Sequence, residues 1–348
     1  MTRPIGYYVH HHGDGHRQRA IAIGQAMDRP VTLLGTGLSG RSGDLPCIDL
    51  PDDRLDDSFA GVDGTDRPPA LHYAPIDHDG IRRRTAALTQ WIATARPALV
   101  IVDVSVEVAM LARLASVPTV YVRLNGKRID RPHLDAFASA TALLAPFHAA
   151  LDEPDLPPWV RRKSFHAPTI VTPVSDAHVA PGDHILVVIG RGGAPSDGER
   201  WAQAARAMPD RPWQVIGPCT APADPPPNLS LLGWVEDADR RIAEAAVVIG
   251  AAGDGLLASV LAHRRPFLCL PEPRPFDEQG SKAHRLAALG AAVVLENWPE
   301  PAAFPRHIAK AQAMAACWPD ALCEVGGAAR VAGWIGALAQ QSDIRKEV

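Results

Sequence analysis

The residues best suited to chemistry stand in two neighbouring stretches, Gly250-Ala-Ala-Gly-Asp-Gly255 and Pro271-Glu-Pro-Arg-Pro-Phe-Asp-Glu-Gln279. An apolar run over 245–249 feeds the glycine turn, and a helix-like segment over 256–262 leaves it. A second apolar run, over 267–270, ends at the loop that carries Phe276, Asp277, Glu278 and Gln279. A strand, a glycine turn and a helix in this order aim free backbone N–H groups at one point, where a phosphate can sit. Glu278 and Gln279 are able to grip hydroxyls close by. A phosphate next to a polyol points to a nucleotide sugar.

A second constellation opens the chain: His10-His-His-Gly-Asp-Gly-His-Arg-Gln-Arg19. Gly13 and Gly15 permit a tight strand-to-helix turn whose backbone can approach a ligand. His16 then falls at a helix N-terminus, facing a cleft. A neutral imidazole takes up a proton near neutral pH and suits general-base work, typically worth ~10²- to 10⁴-fold. The plainer alternative is that His16 caps or packs. His10, His11 and His12 are consecutive, so in a strand their side chains point to opposite faces. No carboxylate or cysteine pattern completes a ligand set, and the sequence predicts no metal.

Other residues fit around these two turns. Gly190-Arg-Gly-Gly193 is a further glycine turn after an apolar run. The amides of Gly192 and Gly193 can bind an anion, and Arg191 can reach a diphosphate as a charge-assisted donor worth ~1.5–3 kcal/mol. A mere sharp turn is the alternative. Asp254 next to a diphosphate is repulsive unless it turns outward to cap its helix, and capping is the expectation. Asp103 ends a strand, where ligands of open α/β sheets bind. It could orient His16, contact an acceptor or cap the helix from Ser105. The segment 123–130 could line an acceptor cleft, and Trp234 follows a strand near the nucleotide side.

These turns need strands and helices in alternation, and the periodicity supplies them. Strands are expected over 5–10, 31–35, 47–50, 98–103, 119–123 and 142–145, then over 185–189, 213–216, 229–232, 246–249, 267–270 and 293–295. Helices are expected over 17–27, 81–95, 107–115, 197–207, 238–245, 256–262 and 277–289. Such a pattern predicts parallel sheets with helices on both faces. The Asp-, Pro- and Gly-rich stretch 51–78 is too long for a simple connection and reads as a functional loop. Prolines spread over 156–182 suit a connector.

Composition bounds the rest. At 348 residues the chain exceeds one ordinary core, so two α/β domains are expected. A formal charge of −4 implies no field for nucleic acid. Arg82-Arg83-Arg84 and Arg161-Arg162-Lys163 read as solvated faces, or else as contacts to an acidic membrane surface. The five cysteines form no CxxC pair and read as reduced thiols of a cytoplasmic protein. Met1 is followed by no charged-then-apolar leader, and no run approaches the ~20 residues that span a bilayer.

Through Gly13-x-Gly15-His16-x-x-Arg19, the Gly190–Gly193 turn, residues 249–279 and Ala283-x-x-Leu286-x-x-x-Gly290, the chain resembles the GT-B glycosyltransferases. It is most similar to family 28, which includes the N-acetylglucosaminyltransferase of peptidoglycan assembly. The resemblance implies two Rossmann-like, doubly wound parallel-sheet domains facing across a cleft: 1–165 on the acceptor side, a linker over 166–182, and a donor domain over 183–329. A C-terminal helix at about 330–348 would pack back on the first. It implies metal-independent transfer of a sugar from a UDP- or dTDP-sugar, with no cofactor, to an acceptor hydroxyl or amine. Gly253 and Gly255 would cradle the diphosphate, Glu278 and Gln279 the sugar, and His16 would sit near the reacting carbon. Where the family carries a glutamate for the ribose this chain has Ser259. That departure keeps open a non-catalytic binder, just as the Gly-x-Gly-His turn is similar to that of nucleotide-sugar hydrolases. Neither the acceptor nor the oligomeric state follows from the sequence.

Overall fold

The computed structural model describes residues 2–11, 14–56, 59, 61–64, 67–170, 180–190, 195–315 and 317–344. Gly13, Arg191, Gly192 and Gly193, singled out above, lie outside the described residues, as does His12. The first half comprises β1 (Ile5–Tyr8), α1 (Gly15–Gln25), β2 (Val31–Gly35), β3 (Cys47–Asp49), α2 (Asp79–Ala95), β4 (Leu99–Asp103), α3 (Val106–Leu114), β5 (Thr119–Val122), α4 (Arg131–Ser139), β6 (Ala142–Ala145), α5 (Pro158–Lys163) and β7 (Ser164–His166). The second comprises β8 (Ile185–Val188), α6 (Gly198–Arg206), β9 (Trp213–Ile216), β10 (Leu229–Gly233), α7 (Ala238–Glu244), β11 (Val247–Gly250), α8 (Asp254–Ala262), β12 (Phe267–Cys269), α9 (Glu278–Ala288), β13 (Val293–Val294), α10 (Phe304–Ala315) and α11 (Gly327–Ile344).

Two sheets result, in the orders β3-β2-β1-β4-β5-β6-β7 and β10-β9-β8-β11-β12-β13. Every pairing between these strands is parallel. Both sheets are doubly wound, as expected: strand order reverses between β1 and β4, and again between β8 and β11.

Helices cover both faces, so the strands are apolar on both sides. Along β1, Ile5 and Tyr7 enter the core under α1 and α11, while Tyr8 joins the core under α2, α3 and α4. At Gly6 a Cβ would lie 2.7 Å from the Trp91 ring, so a glycine here lets α2 approach the sheet. In the second sheet Ile185, Val187 and Ile249 pack under α6 and α10, and Leu186, Val248 and Phe267 under α7, α8 and α9. Ala145, the last residue of β6, and Phe147 and Leu151, which follow it, sit in this last core. Helix α11 crosses the other way: Val331, Ile335 and Ala339 are fully buried beside Ile5 and Ile23.

Two sequence expectations need correction. The proline-rich stretch read as connector begins with α5 and β7, the latter an edge strand paired to β6. Pro158 stands in the first turn of α5, where a missing N–H removes no helical bond. Arg84 is not on a solvated face: it is buried, donates to Tyr8 Oη at 2.8 Å and pairs with Asp53. Arg82 and Arg83 pair with Asp77 and Asp79 at the surface. Among the described residues no helix is long and apolar enough to cross a membrane.

Candidate active site

Each reversal of strand order leaves a crevice at the carboxyl ends of two neighbouring strands, where open α/β sheets bind ligands. The two crevices open on one cavity of ≈ 1590 Å³, lined by His10, Val104 and Ser105 on one side and by Ile189, Gly190 and Gly253 on the other. Small-molecule sites usually enclose ~300–1,000 Å³, so two substrates fit here side by side. The stretch 51–78 lends Asp53, Arg54, Leu55, His72 and Tyr73 to the lining.

His16 stands in the first turn of α1 and lines the cavity. Its Nδ1 lies 2.9 Å from Asp103 Oδ1, and Asp103 is fully buried at the end of β4. Arg19, one turn along α1, clamps the same carboxylate through Nε at 3.1 Å and Nη2 at 2.9 Å, and Tyr7 Oη donates to it at 3.2 Å. Burial works against ionisation of Asp103, but Arg19 and then His16 outweigh it and hold the carboxyl well below the usual carboxylate range. Arg19 Nη2 is also 2.9 Å from His16 Nδ1. Arg19 Nη2 already donates to Asp103 Oδ1, so a proton on Nδ1 can be directed to the same carboxylate, which only accepts. Nε2 is then the lone-pair nitrogen left for a ligand. Ser105, rather than Asp103, caps α3 by accepting from Val108 N at 3.2 Å. The turn between them passes through Val104 at φ 61, a strained setting for a β-branched residue.

Opposite lies the N-terminus of α8. Gly253 is its cap residue, and no side chain caps it. The φ of −70° at Gly253 suits any residue, and a Cβ at Gly253 or Gly255 would meet nothing within 4 Å. Neither backbone strain nor packing therefore demands these glycines. Their lack of side chains keeps the helix end open to the cavity. Gly15, at the start of α1, is equally unobstructed.

Asp254 does not cap α8 as expected. Its carboxylate receives Lys282 Nζ on Oδ1 and Arg19 Nη1 on Oδ2 at 3.3 Å. Lys282 is fully buried in α9, and a buried ammonium must be paired. Burial opposes the ionisation of Asp254, and Lys282 and then Arg19 overcome it, so this carboxyl also stays below its usual range. Arg19 thus links the acid behind His16 to the acid at the mouth of α8.

The loop before α9 carries consecutive non-glycine residues in the left-handed region, Phe276 at φ 59 and Asp277 at φ 54. It is docked on the segment 125–128. Lys127 N donates to Phe276 O at 2.7 Å, and Lys127 Nζ pairs with Asp277 at 3.1 Å. Arg128 binds Glu278 Oε2 at 3.0 Å and stacks over the Phe276 ring, 4.8 Å from its centroid. Glu278 Oε1 is 3.9 Å from Lys282 Nζ. Gln279 is buried, with Oε1 accepting from Glu272 N at 2.8 Å. Glu278, Gln279, Ser259 and the half-exposed Trp234 all line the cavity.

The structure thus gathers His16, Asp103, Gly15, Gly253, Asp254, Gly255, Ser259, Trp234, Phe276, Glu278 and Gln279 around one cleft, whereas Asp277 does not line it and pairs with Lys127 instead. Three cations that organise it, Arg19, Lys282 and Arg128, had no role assigned from the sequence. Arg19 lies three residues after His16 and Lys282 four after Glu278, spacings that share a helix face, so the signal was present. Arg128 falls in the segment expected along the cleft, but nothing local announces its partner.

No protein-family model matches the sequence, and no curated protein matches it. Solved structures do match in fold. Spinosyn forosaminyltransferase SpnP superposes with a TM-score of 0.71 at 14% identity, over 98% of this chain and 100% of that one. MurG of Acinetobacter baumannii gives 0.65 at 17% identity, over 97% of this chain and 100% of that one. The glycosyltransferase SnogD from Streptomyces nogalater gives 0.64 at 16% identity, over the same shares. Two facing, doubly wound parallel sheets with this superposition give the chain the GT-B fold of these glycosyltransferases.

Proposed function

We propose that this protein transfers a sugar from a nucleoside diphosphate sugar, UDP- or dTDP-linked, to an acceptor hydroxyl or amine without a metal ion. The observation that carries the reading is the pairing of an oriented base with an open helix end. His16 is backed by a buried carboxylate on one wall, and the uncapped N-terminus of α8, open at Gly253 and Gly255 and with Asp254 neutralised by Lys282 and Arg19, forms the other. His16 Nε2 takes the acceptor's proton as its oxygen or nitrogen attacks the anomeric carbon. The bond from that carbon to the diphosphate breaks, and its electrons leave with the diphosphate. Asp103 steadies the imidazolium that forms, while the N–H groups of α8 receive the departing charge. Arg19 keeps Asp103 ionised. Ser259 lines the cavity where the ribose hydroxyls of such a donor would lie.

A thermal-shift panel of UDP, dTDP and GDP tests this on wild type and Gly253→Trp. A ligand at about a hundred times its dissociation constant adds ~2.7 kcal/mol of stability. One nucleotide family should raise the wild-type melting temperature and fail on the variant, whose own stability should hardly change because the site is open. No shift with any nucleotide would refute the donor site. His16→Ala should keep the shift and lose turnover by ~10²-fold or more, and EDTA should leave turnover unchanged.

A further inference from the structure

A second histidine in the cleft is oriented as carefully as His16. His72, from the loop before α2, lines the cavity, as do His133 and Arg128. Arg128 Nη1 lies 3.2 Å from His133 Nε2. A guanidinium only donates, so Nε2 accepts and the His133 proton sits on Nδ1. That nitrogen is 2.7 Å from Asp130 Oδ2. The other oxygen, Oδ1, is 2.7 Å from His72 Nε2. A carboxylate only accepts, so His72 carries its proton on Nε2 and leaves Nδ1 bare. No described residue bonds that nitrogen. Glu107 Oε1 fixes the main chain beneath it, accepting from His72 N at 2.7 Å and Tyr73 N at 2.9 Å. The ring packs against both His133 and Phe276, with centroids 4.3 and 5.3 Å away.

Ligand atoms of His72, Asp130 and His133 all lie within 4.8 Å of one another, so a metal site is the competing reading. A cation between them would need a lone pair on His133 Nδ1. The proton would then move to Nε2 and face the N–H of Arg128, donor against donor. Arg128 therefore makes this set a hydrogen-bonded chain rather than a ligand set.

We propose that His72 is a second proton-accepting residue of the cleft, whose Nδ1 receives the O–H or N–H of the acceptor, with its tautomer set by Asp130, His133 and Arg128. This deepens the transfer reading and rests on it. Two oriented lone pairs, His16 Nε2 and His72 Nδ1, then select acceptors that offer two hydrogen-bond donors, the reacting one and a second that anchors the molecule. Because Arg128 also holds Glu278, the chain that orients His72 ends on the donor side of the cleft.

Long-range proton–nitrogen NMR spectra of the full chain labelled at histidine read the tautomers directly. In wild type at neutral pH, His133 should carry its proton on Nδ1 and His72 on Nε2. Asp130 Oδ1 caps α4 by accepting from His133 N at 3.3 Å, and serine caps a helix equally well, so Asp130→Ser should fold. Its shorter side chain keeps the cap but gives up the bond to His72 Nε2, so the His72 proton should divide between its two nitrogens. A wild-type His72 already protonated on Nδ1, or a tautomer that Asp130→Ser leaves unchanged, overturns the proposal. So does stoichiometric Zn²⁺ uptake that perturbs His72 and His133 together. With 4-nitrocatechol, which offers two O–H donors, as surrogate acceptor, His72→Gln should raise the acceptor KM about tenfold, one hydrogen bond's worth, with the donor KM within about twofold. An unchanged acceptor KM also overturns it. Failure of the transfer reading itself is seen separately, as absence of any nucleotide thermal shift.

Discussion

At the scale of single residues the cleft is governed by charges that burial forces into pairs. Asp103 and Asp254 are ionised in a place that disfavours ions, and Arg19 serves both. Lys282 holds the second acid from a fully buried position in α9. Breaking one side of a buried pair typically costs ~3–5 kcal/mol, because the partner is left uncompensated. Lys282→Met should therefore lower unfolding stability by about that much, and adding Asp254→Asn should recover part of the loss. A double variant no better than the single one would show that the two do not act as a pair. His133 makes a pH prediction. Burial first, and Arg128 next, push its imidazole down from 6.5 to about 4, against the pull of Asp130. Between those values the unfolded chain takes a proton that the folded one refuses, so stability falls as pH falls from 6.5 to 4. The full difference is about 3 kcal/mol. Urea unfolding at pH 7 and pH 4.5 should show it, with a slope that His133→Phe reduces.

At the scale of elements, function depends on what sits at the end of each strand. Helices α1 and α8 both start at a reversal of strand order, and their N-terminal ends meet across the cleft through Arg19 and Asp254. The C-terminal helix supports this arrangement from behind, since α11 covers the same face of the first sheet as α1. Val331 is fully buried there. Val331→Asp should cost about 3–5 kcal/mol, the penalty of an unpaired buried charge. Hydrogen exchange should accelerate in β1 and β4 and stay slow in β8 and β11. Equal acceleration in both sheets would mean that they unfold as one unit. How legible these elements were follows from burial. Strands such as β4 and β11 are short apolar runs between turn residues, and their positions were predictable. By contrast β7 was not, because Ser164, Phe165 and His166 form a half-buried edge with no apolar run to mark it.

At the scale of the whole molecule, the two halves are joined by more than the chain. Residues after β6 enter the core of the second sheet, and the loop 276–278 is seated on the segment 125–128. Gly126 makes that seat possible. It lies at φ +97, and a Cβ there would stand 2.5 Å from Phe276 O and 2.9 Å from Glu278 Cα. Gly126→Val should keep the cleft from closing. Small-angle scattering should report a larger radius of gyration than wild type, and transfer should slow while the nucleotide thermal shift persists. An unchanged radius would mean that the seat does not hold the halves together. Glu278 is held by Arg128 of the first half, so where that carboxylate stands in the cleft depends on how the two halves meet.

The sequence by itself determined the alternation of strands and helices, parallel sheets with helices on both faces, and the turns where His16, Gly253 and Gly255 stand. Those features are local: they follow from apolar periodicity, glycine placement and the rule that ligands sit at strand carboxyl ends. Only the tertiary structure decided the partners. Asp103 meets His16 across 87 positions, Asp254 meets Arg19 across 235, and Arg128 meets Glu278 across 150. Asp254 turned from an expected cap into a bridge because two cations, one wholly buried, needed it more than a helix end open to solvent did. Which charge compensates which in a low-dielectric cleft depends on distances that no spacing along the chain records.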